Sequence, residues 1–384
     1  MIRKHAGINN LLLYLILLLA LVIISQPGYS SPSQDSGQQE KQLPSGLLLG
    51  ISTADRGYQT LYITYKSNTV SVVTAGTGLL VPRDDGFWMI RQNHIDVRDA
   101  YQELQMAFSA DYLDVRKAGA DTLQLQIEPG QVAQHYYPYF NRRVPSYYFH
   151  SSLNIAFVGN NYVTLWSDAY GYTGGAHPFT SRSWDTYNLD DLARNNVSNI
   201  ESYFQQDYYK YQIPLSRFFG SGAKETLEAA ARKYRNANPE RSNVLADKVL
   251  SDTYWGLDRG QGHWQIKGIL GPRDQVVREQ FALFDTDLRP PQEIVSHDEL
   301  VVDWNAVVAK VPSAEDAFSS PENNLLVVFT KQKMIFYRVV GSTIGDSVGE
   351  VNLAAYDKPR VVMIQWCTGE YVDNWADEAK RYLR

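Results

Sequence analysis

Between Gly78 and Ile90 two apolar runs, Leu79-Leu80-Val81 and Phe87-Trp88-Met89-Ile90, flank an Asp84-Asp85-Gly86 turn. Glycine adopts a positive φ at such a turn without steric cost, so the segment predicts a β-hairpin and antiparallel neighbours. Similar runs precede it: Leu47-Leu48-Leu49-Gly50-Ile51, Leu61-Tyr62-Ile63-Thr64-Tyr65 and Val70-Ser71-Val72-Val73. Their β-branched and aromatic residues, punctuated by Gly, Asp and Asn, predict a β-rich region over 46–135. Beyond it the periods mix. Residues 223–237 are helix-forming, with Ser221 as the expected N-cap. Residues 255–258 and 264–270 predict a second hairpin about Gly260-Gln261-Gly262. Strands at 325–329, 333–340 and 360–366 precede an amphipathic helix over 375–383. Strand runs and helix runs are segregated, which predicts an α+β fold: an antiparallel β-rich N-terminal region, then a mixed strand/helix domain over 136–384.

Residues 1–30 carry Arg3-Lys4-His5, an apolar run over 11–24, and then Ser25-Gln26-Pro27-Gly28-Tyr29-Ser30. A membrane span needs about 20 apolar residues. A shorter run between a positive start and small residues reads as a secretory signal peptide. Cleavage after Ser30 is expected, with 31–45 as a flexible polar linker and an extracytoplasmic (periplasmic or secreted) mature chain. Retention of residues 11–25 as a membrane anchor is the alternative. No cysteine lies near the cut, which excludes a lipoprotein anchor. Cleavage would remove two positive charges, Arg3 and Lys4, and no acid, so the formal charge moves from −6 to −8. An acidic chain lacks the clustered Lys and Arg that nucleic acid requires and suits a cationic partner. The single cysteine, Cys367, cannot form an internal disulfide and is expected as a small buried apolar group.

Half of the 26 tyrosines lie between Tyr136 and Tyr211. Within that span Tyr170-Gly171-Tyr172-Thr173-Gly174-Gly175-Ala176-His177-Pro178 separates two strand-like runs. Paired glycines allow backbone shapes closed to other residues, and tyrosine gives contact area at low entropic cost. Tyr170, Tyr172, Gly174, Gly175, His177 and Pro178 are therefore the expected binding residues. His177 lacks a credible nucleophile: Ser181, Ser183 and Asp185 share one strand parity, and a triad from a single strand is not expected. The histidines are isolated from one another, and no His-Glu-x-x-His, nucleophile elbow, P-loop or dinucleotide fingerprint occurs. No catalytic residue, metal or cofactor is assigned.

The Gly174-Gly175-Ala176-His177-Pro178 core, followed by Tyr187-Asn188-Leu189-Asp190, resembles an extracytoplasmic bacterial domain family. That family occurs in lysozyme-sensing anti-sigma factors and beside peptidoglycan deacetylase domains. Leu215-Ser216-Arg217-Phe218-Phe219 is similar to its next landmark, with Arg217 in place of an acid, and Met334-Ile335-Phe336-Tyr337 through Gly341 is similar in outline. The resemblance spans roughly 155–355, with an insertion at about 236–320. It implies a non-catalytic envelope domain that binds a peptidoglycan fragment or a cationic wall-directed protein such as lysozyme. A wall-polymer hydrolase or deacetylase, and a structural envelope scaffold, are the alternatives.

Overall fold

The first and last described strands of the chain pair with each other. The structure, a computed structural model, describes residues 43–55, 57–122, 124–139, 146–172, 179–196, 198–204, 208–242, 244–246, 249, 251–271 and 281–383. The expected signal peptide and all but the end of the linker lie outside them. The strands are β1 (Ser45–Thr53), β2 (Gly57–Lys66), β3 (Thr69–Thr77), β4 (Leu79–Arg83), β5 (Gly86–Tyr101), β6 (Leu104–Lys117), β7 (Ser146–Val158), β8 (Tyr162–Tyr172) and β9 (Phe179–Asn188). Next, β10 (Trp255–Gly260), β11 (His263–Leu270) and β12 (Ala282–Asp285) form a three-stranded sheet. A four-stranded sheet follows from β13 (Asp316–Ser319), β14 (Leu325–Phe329), β15 (Lys333–Val340) and β16 (Thr343–Asn352). The last strand, β17 (Arg360–Thr368), returns to the large sheet, ordered β3-β2-β1-β17-β7-β6-β5-β4, with β8 and β9 continuing beyond β7. The architecture is α+β.

Most neighbours are antiparallel, but β7 runs parallel to both β6 and β17. A parallel neighbour needs a crossover connection. The one from β6 to β7 holds the short helix Gln131–Tyr136. Asp99 on β5 caps this helix, accepting from the N–H groups of Gly130 at 2.6 Å, Val132 at 2.8 Å and Ala133 at 3.0 Å. The expected boundary at 135/136 therefore falls between two paired strands of one sheet, β6 and β7. Residues Gln42–Arg384 form one compact unit.

Both faces of β1 are covered, which explains its unbroken Leu47-Leu48-Leu49 run. Leu48 joins a core with Tyr62, Met363 and the helix Tyr371–Tyr382. Leu47, Leu49 and Ile51 join the opposite core, with Phe318, Val327, Phe329 and Phe336 of the four-stranded sheet. Each such aliphatic side chain contributes about 1.5–3 kcal/mol on burial. The Tyr62 hydroxyl donates to the Val372 carbonyl at 2.6 Å, beside the buried Cys367 sulfur at 3.6 Å. Burial pushes the Cys367 thiol up to about 11, so at neutral pH it stays protonated and is no nucleophile. Cys367→Ala is expected to lower stability by about 1–2 kcal/mol in chemical denaturation and to leave ligand binding unchanged.

The expected insertion at 236–320 contains the three-stranded sheet, which leans on β8 and β9. Leu257 N–H donates to Thr164 Oγ1 at 3.0 Å, and the Thr186 hydroxyl donates to the Trp255 carbonyl at 3.3 Å. Contact is close because residue 256 is glycine: a Cβ there would lie 2.3 Å from Thr164 Cγ2 and 2.7 Å from Trp184 Nε1. Gly256→Ala is expected to cost about 1–3 kcal/mol by overpacking, read from a urea midpoint. Arg259 ties β10 to the four-stranded sheet. Its guanidinium bonds Asp316 at 2.7 Å, Asp298 at 2.8 Å and the Ala317 carbonyl at 2.8 Å.

Two local expectations differ from the structure. The helix Ala223–Ala237 starts from Gly222 with no side-chain cap, so Ser221 stands one residue outside the N-cap position. The terminal helix begins at Tyr371, one turn before 375, with Val372 in the core.

Candidate functional site

Strand alternation gives β5 to β9 two unlike faces. One is apolar: Ile95, Phe108, Ala110, Tyr112 and Tyr147 form a core with Val132, Ala133 and Ile200 of the short helices. The other is polar and aromatic. Across β7 and β8 the register sets Tyr148 opposite Tyr172, His150 opposite Tyr170, Ser152 opposite Asp168, and Asn154 opposite Trp166. On β9, Thr180 faces Tyr170, Arg182 faces Asp168 and Trp184 faces Trp166.

Tyrosines stand together at one end of this face. Tyr148 is 42% and Tyr170 44% exposed, with ring centroids 6.0 Å apart. Tyr172 is half-buried and stacks on Tyr148 at 6.3 Å and 15°. His150 lies against Tyr170 at 4.8 Å. Cross-strand stacking fixes the rings before any ligand arrives, so little side-chain entropy remains to be lost on binding.

The other end is a cleft of about 530 Å³, within the usual size of ligand sites. Trp166, Trp184, Tyr58, Gln92, Asn154 and Arg360 are among its lining residues. Arg182 covers the Trp166 ring at 5.1 Å and pairs with Asp168. Among the described residues the carboxylate lining the cleft is Asp258, bound to Arg360 at 2.8 Å and Lys267 at 3.1 Å. The Tyr58 hydroxyl accepts the Ile155 N–H at 2.5 Å, where a bulge interrupts the β7–β8 ladder. Burial pushes that hydroxyl up to about 12, so it stays neutral. A smaller cavity of about 350 Å³ shares Gly57, Tyr58 and Gln92 with the cleft and extends to His94 and Asp111. From Tyr148 to Asn154 the face runs six residues, about 20 Å.

His94, Ser109, Asp111 and His150 meet between these two ends. His94 Nδ1 lies 2.8 Å from Asp111 Oδ1, and the Ser109 hydroxyl lies 3.4 Å from His94 Nε2 and 3.1 Å from His150 Nδ1. The expectation that the histidines are isolated is therefore corrected: strand pairing brings His94 and His150 to one hydroxyl.

Of the expected binding residues, Tyr170 and Tyr172 lie on this face, whereas Gly174, Gly175, His177 and Pro178 lie outside the described residues. Ser183 and Asp185 have the opposite strand parity and are buried away from the groove. Burial pushes the Asp185 carboxyl up to about 6, and the Tyr187 hydroxyl donates to its Oδ2 at 3.4 Å. Among the described residues no group of three His, Cys, Asp or Glu side chains is arranged to hold a metal ion, and no helix is long and apolar enough to cross a membrane. Sequence reasoning missed Tyr148, His150, the His94–Ser109–Asp111 cluster and the cleft. The signal for Tyr148 was its place in the tyrosine-rich span.

No family model matches the chain, and no curated protein sequence matches it. Two solved structures similar to it are DUF3298 family proteins. The one from Bacteroides fragilis is 12% identical with a TM-score of 0.34, covering 58% of this chain and 94% of that chain. The one from Pseudomonas aeruginosa is 10% identical with a TM-score of 0.24, covering 46% of this chain and 82% of that chain.

Proposed function

We propose that the chain is an exported cell-envelope protein that binds a wall glycan along the β7–β8 face. The observation that carries this reading is the pair of exposed tyrosines, Tyr148 and Tyr170, set edge to face across the strands at 63°, with Tyr172 stacked on Tyr148, at the head of a polar groove. Pyranose rings present apolar C–H faces that pack on aromatic rings, while their hydroxyls need amide and charged partners. Gln92, Asn154 and Arg360 supply such partners at the cleft. A face of about 20 Å suits an oligomeric ligand better than a single sugar. Glycosidic cleavage fits this groove poorly, because it needs two carboxylates flanking the bond. Among the described residues lining the cleft the carboxylate is Asp258, paired with Arg360 and Lys267, while Asp168 is paired with Arg182 and Asp111 with His94.

The purified chain 31–384 is expected to co-sediment with insoluble peptidoglycan and to be released by soluble glycan fragments. Recovery in the supernatant at every peptidoglycan concentration would contradict the reading. Export is tested separately: intact mass of the protein from the cell envelope should show a mature chain beginning near Ser31. Full-length chain recovered soluble from the cytoplasm would end that part of the proposal.

A further inference from the structure

We propose that Ser109 is a nucleophile and that the chain hydrolyses small carboxylic esters at the His94–Ser109–Asp111 cluster. This departs from the non-catalytic expectation and does not rest on glycan binding. The four side chains come from three adjacent strands, β5, β6 and β7, whose pairing sets His94 opposite Asp111 and Ser109 opposite His150.

The order of bonds gives each group a role. Asp111 Oδ2 accepts from Gln92 Nε2 at 2.9 Å and from the Leu153 N–H at 3.1 Å, so its carboxylate cannot rotate. Its Oδ1 therefore holds the proton of His94 on Nδ1 and leaves Nε2 bare toward Ser109. Ser109 donates to that nitrogen at 3.4 Å, and His150 Nδ1 donates to the serine oxygen at 3.1 Å. The 3.4 Å arm is long, as catalytic hydrogen bonds often are without substrate. Tyr170 braces the His150 ring, and His94 and Asp111 border a cavity of about 350 Å³ beside the cluster.

Ser109 Oγ attacks the ester carbonyl carbon while its proton passes to His94 Nε2. The carbon–oxygen bond to the leaving alcohol breaks, and His94 returns the proton to that oxygen. Water then attacks the acyl-serine by the same route, releasing the carboxylic acid and restoring the hydroxyl. Asp111 is a positioning residue that orients His94 and stabilises its charge. The amides flanking Ser109 belong to the strand ladders on both sides, so the His150 N–H shifts from Ser109 Oγ to the developing oxyanion as the new bond to carbon forms. One side-chain donor in place of a backbone pair favours esters, with their better leaving group, over amides.

The test is covalent labelling of the folded chain with a fluorophosphonate, followed by intact mass and peptide mapping, alongside hydrolysis of p-nitrophenyl acetate. The expected result is one adduct, on Ser109. It should be absent in Ser109→Ala and at least about 100-fold slower in His94→Gln, with ester hydrolysis falling in parallel and melting temperatures unchanged. No adduct on the wild-type chain, an adduct on another residue, or a wild-type labelling rate in His94→Gln would overturn the proposal.

Discussion

Replacing Arg259 by Met is expected to lower unfolding stability by about 3–5 kcal/mol, among the largest effects of any single substitution in this chain. The guanidinium is 5% exposed, and Asp316 and Asp298 are 8% and 20% exposed. Methionine fills the space but leaves two largely buried carboxylates without their cation. Burial already holds the Asp298 carboxyl above its usual range, with Arg259 as the main opposing influence. Asp316 also accepts the Gly262 N–H at 2.9 Å, and Asp298 the Trp264 N–H at 2.9 Å, so neither can turn out to water without breaking the β10–β11 hairpin. The check is a denaturant titration of the single variant and of Arg259→Met with Asp316→Asn. The double variant should recover part of the loss, because one of the two buried charges has gone while Asp298 keeps its own. A single variant within about 1 kcal/mol of wild type would show that the network is solvated in solution.

Asp185→Asn is expected to act in the opposite direction, raising stability near pH 7.5 by up to about 3 kcal/mol. Burial lifts this carboxyl from its ordinary value of 3.8 to about 6 in the folded chain. The folded chain therefore binds the proton more tightly than the unfolded chain does. The stability it confers is complete below about pH 4 and is lost as pH rises through about 6. A rise of about two pH units corresponds to roughly 3 kcal/mol, and asparagine removes the charge that causes the loss. Melting curves of wild type and variant should diverge from pH 4 to 7 and then run parallel. Equal pH dependence in the two proteins would remove Asp185 as the cause.

Residue pattern and structure agree where one strand's own sequence decides the outcome. Leu325–Phe329 and Lys333–Val340 are apolar, β-branched runs with polar residues at their ends, and they stand at the expected bounds. β16 was not legible: Thr343–Asn352 holds two glycines and few apolar residues, and only pairing with β15 makes it a strand. The β5–β6 hairpin was half hidden for a different reason. Its tip is Gln102-Glu103, with Gln102 at a φ of 53°, so no Asn-Gly or Gly marks the turn. Missing that turn concealed the register that sets His94 against Asp111, and with it the cluster on Ser109. The crossover that brings β7 beside β6 is 28 residues long (118–145) and carries no local sign that the strands are parallel. Tyr170 and Tyr172 were legible from composition, whereas their partners Tyr148 and His150 depend on which strand lies alongside.

On the proposed reading, the paired tyrosines of the β7–β8 face hold a wall glycan. Isothermal titration of the mature chain with soluble peptidoglycan glycan fragments tests it most directly, comparing wild type, Tyr148→Ala and Tyr170→Ala. Both rings are exposed, so both variants should melt as wild type does. Saturable binding by wild type is expected, weakened at least about tenfold (~1.4 kcal/mol) in each variant. No binding by wild type, or wild-type affinity in both variants, would contradict the account, and saturable binding of lysozyme alone would move the function to a cationic protein partner.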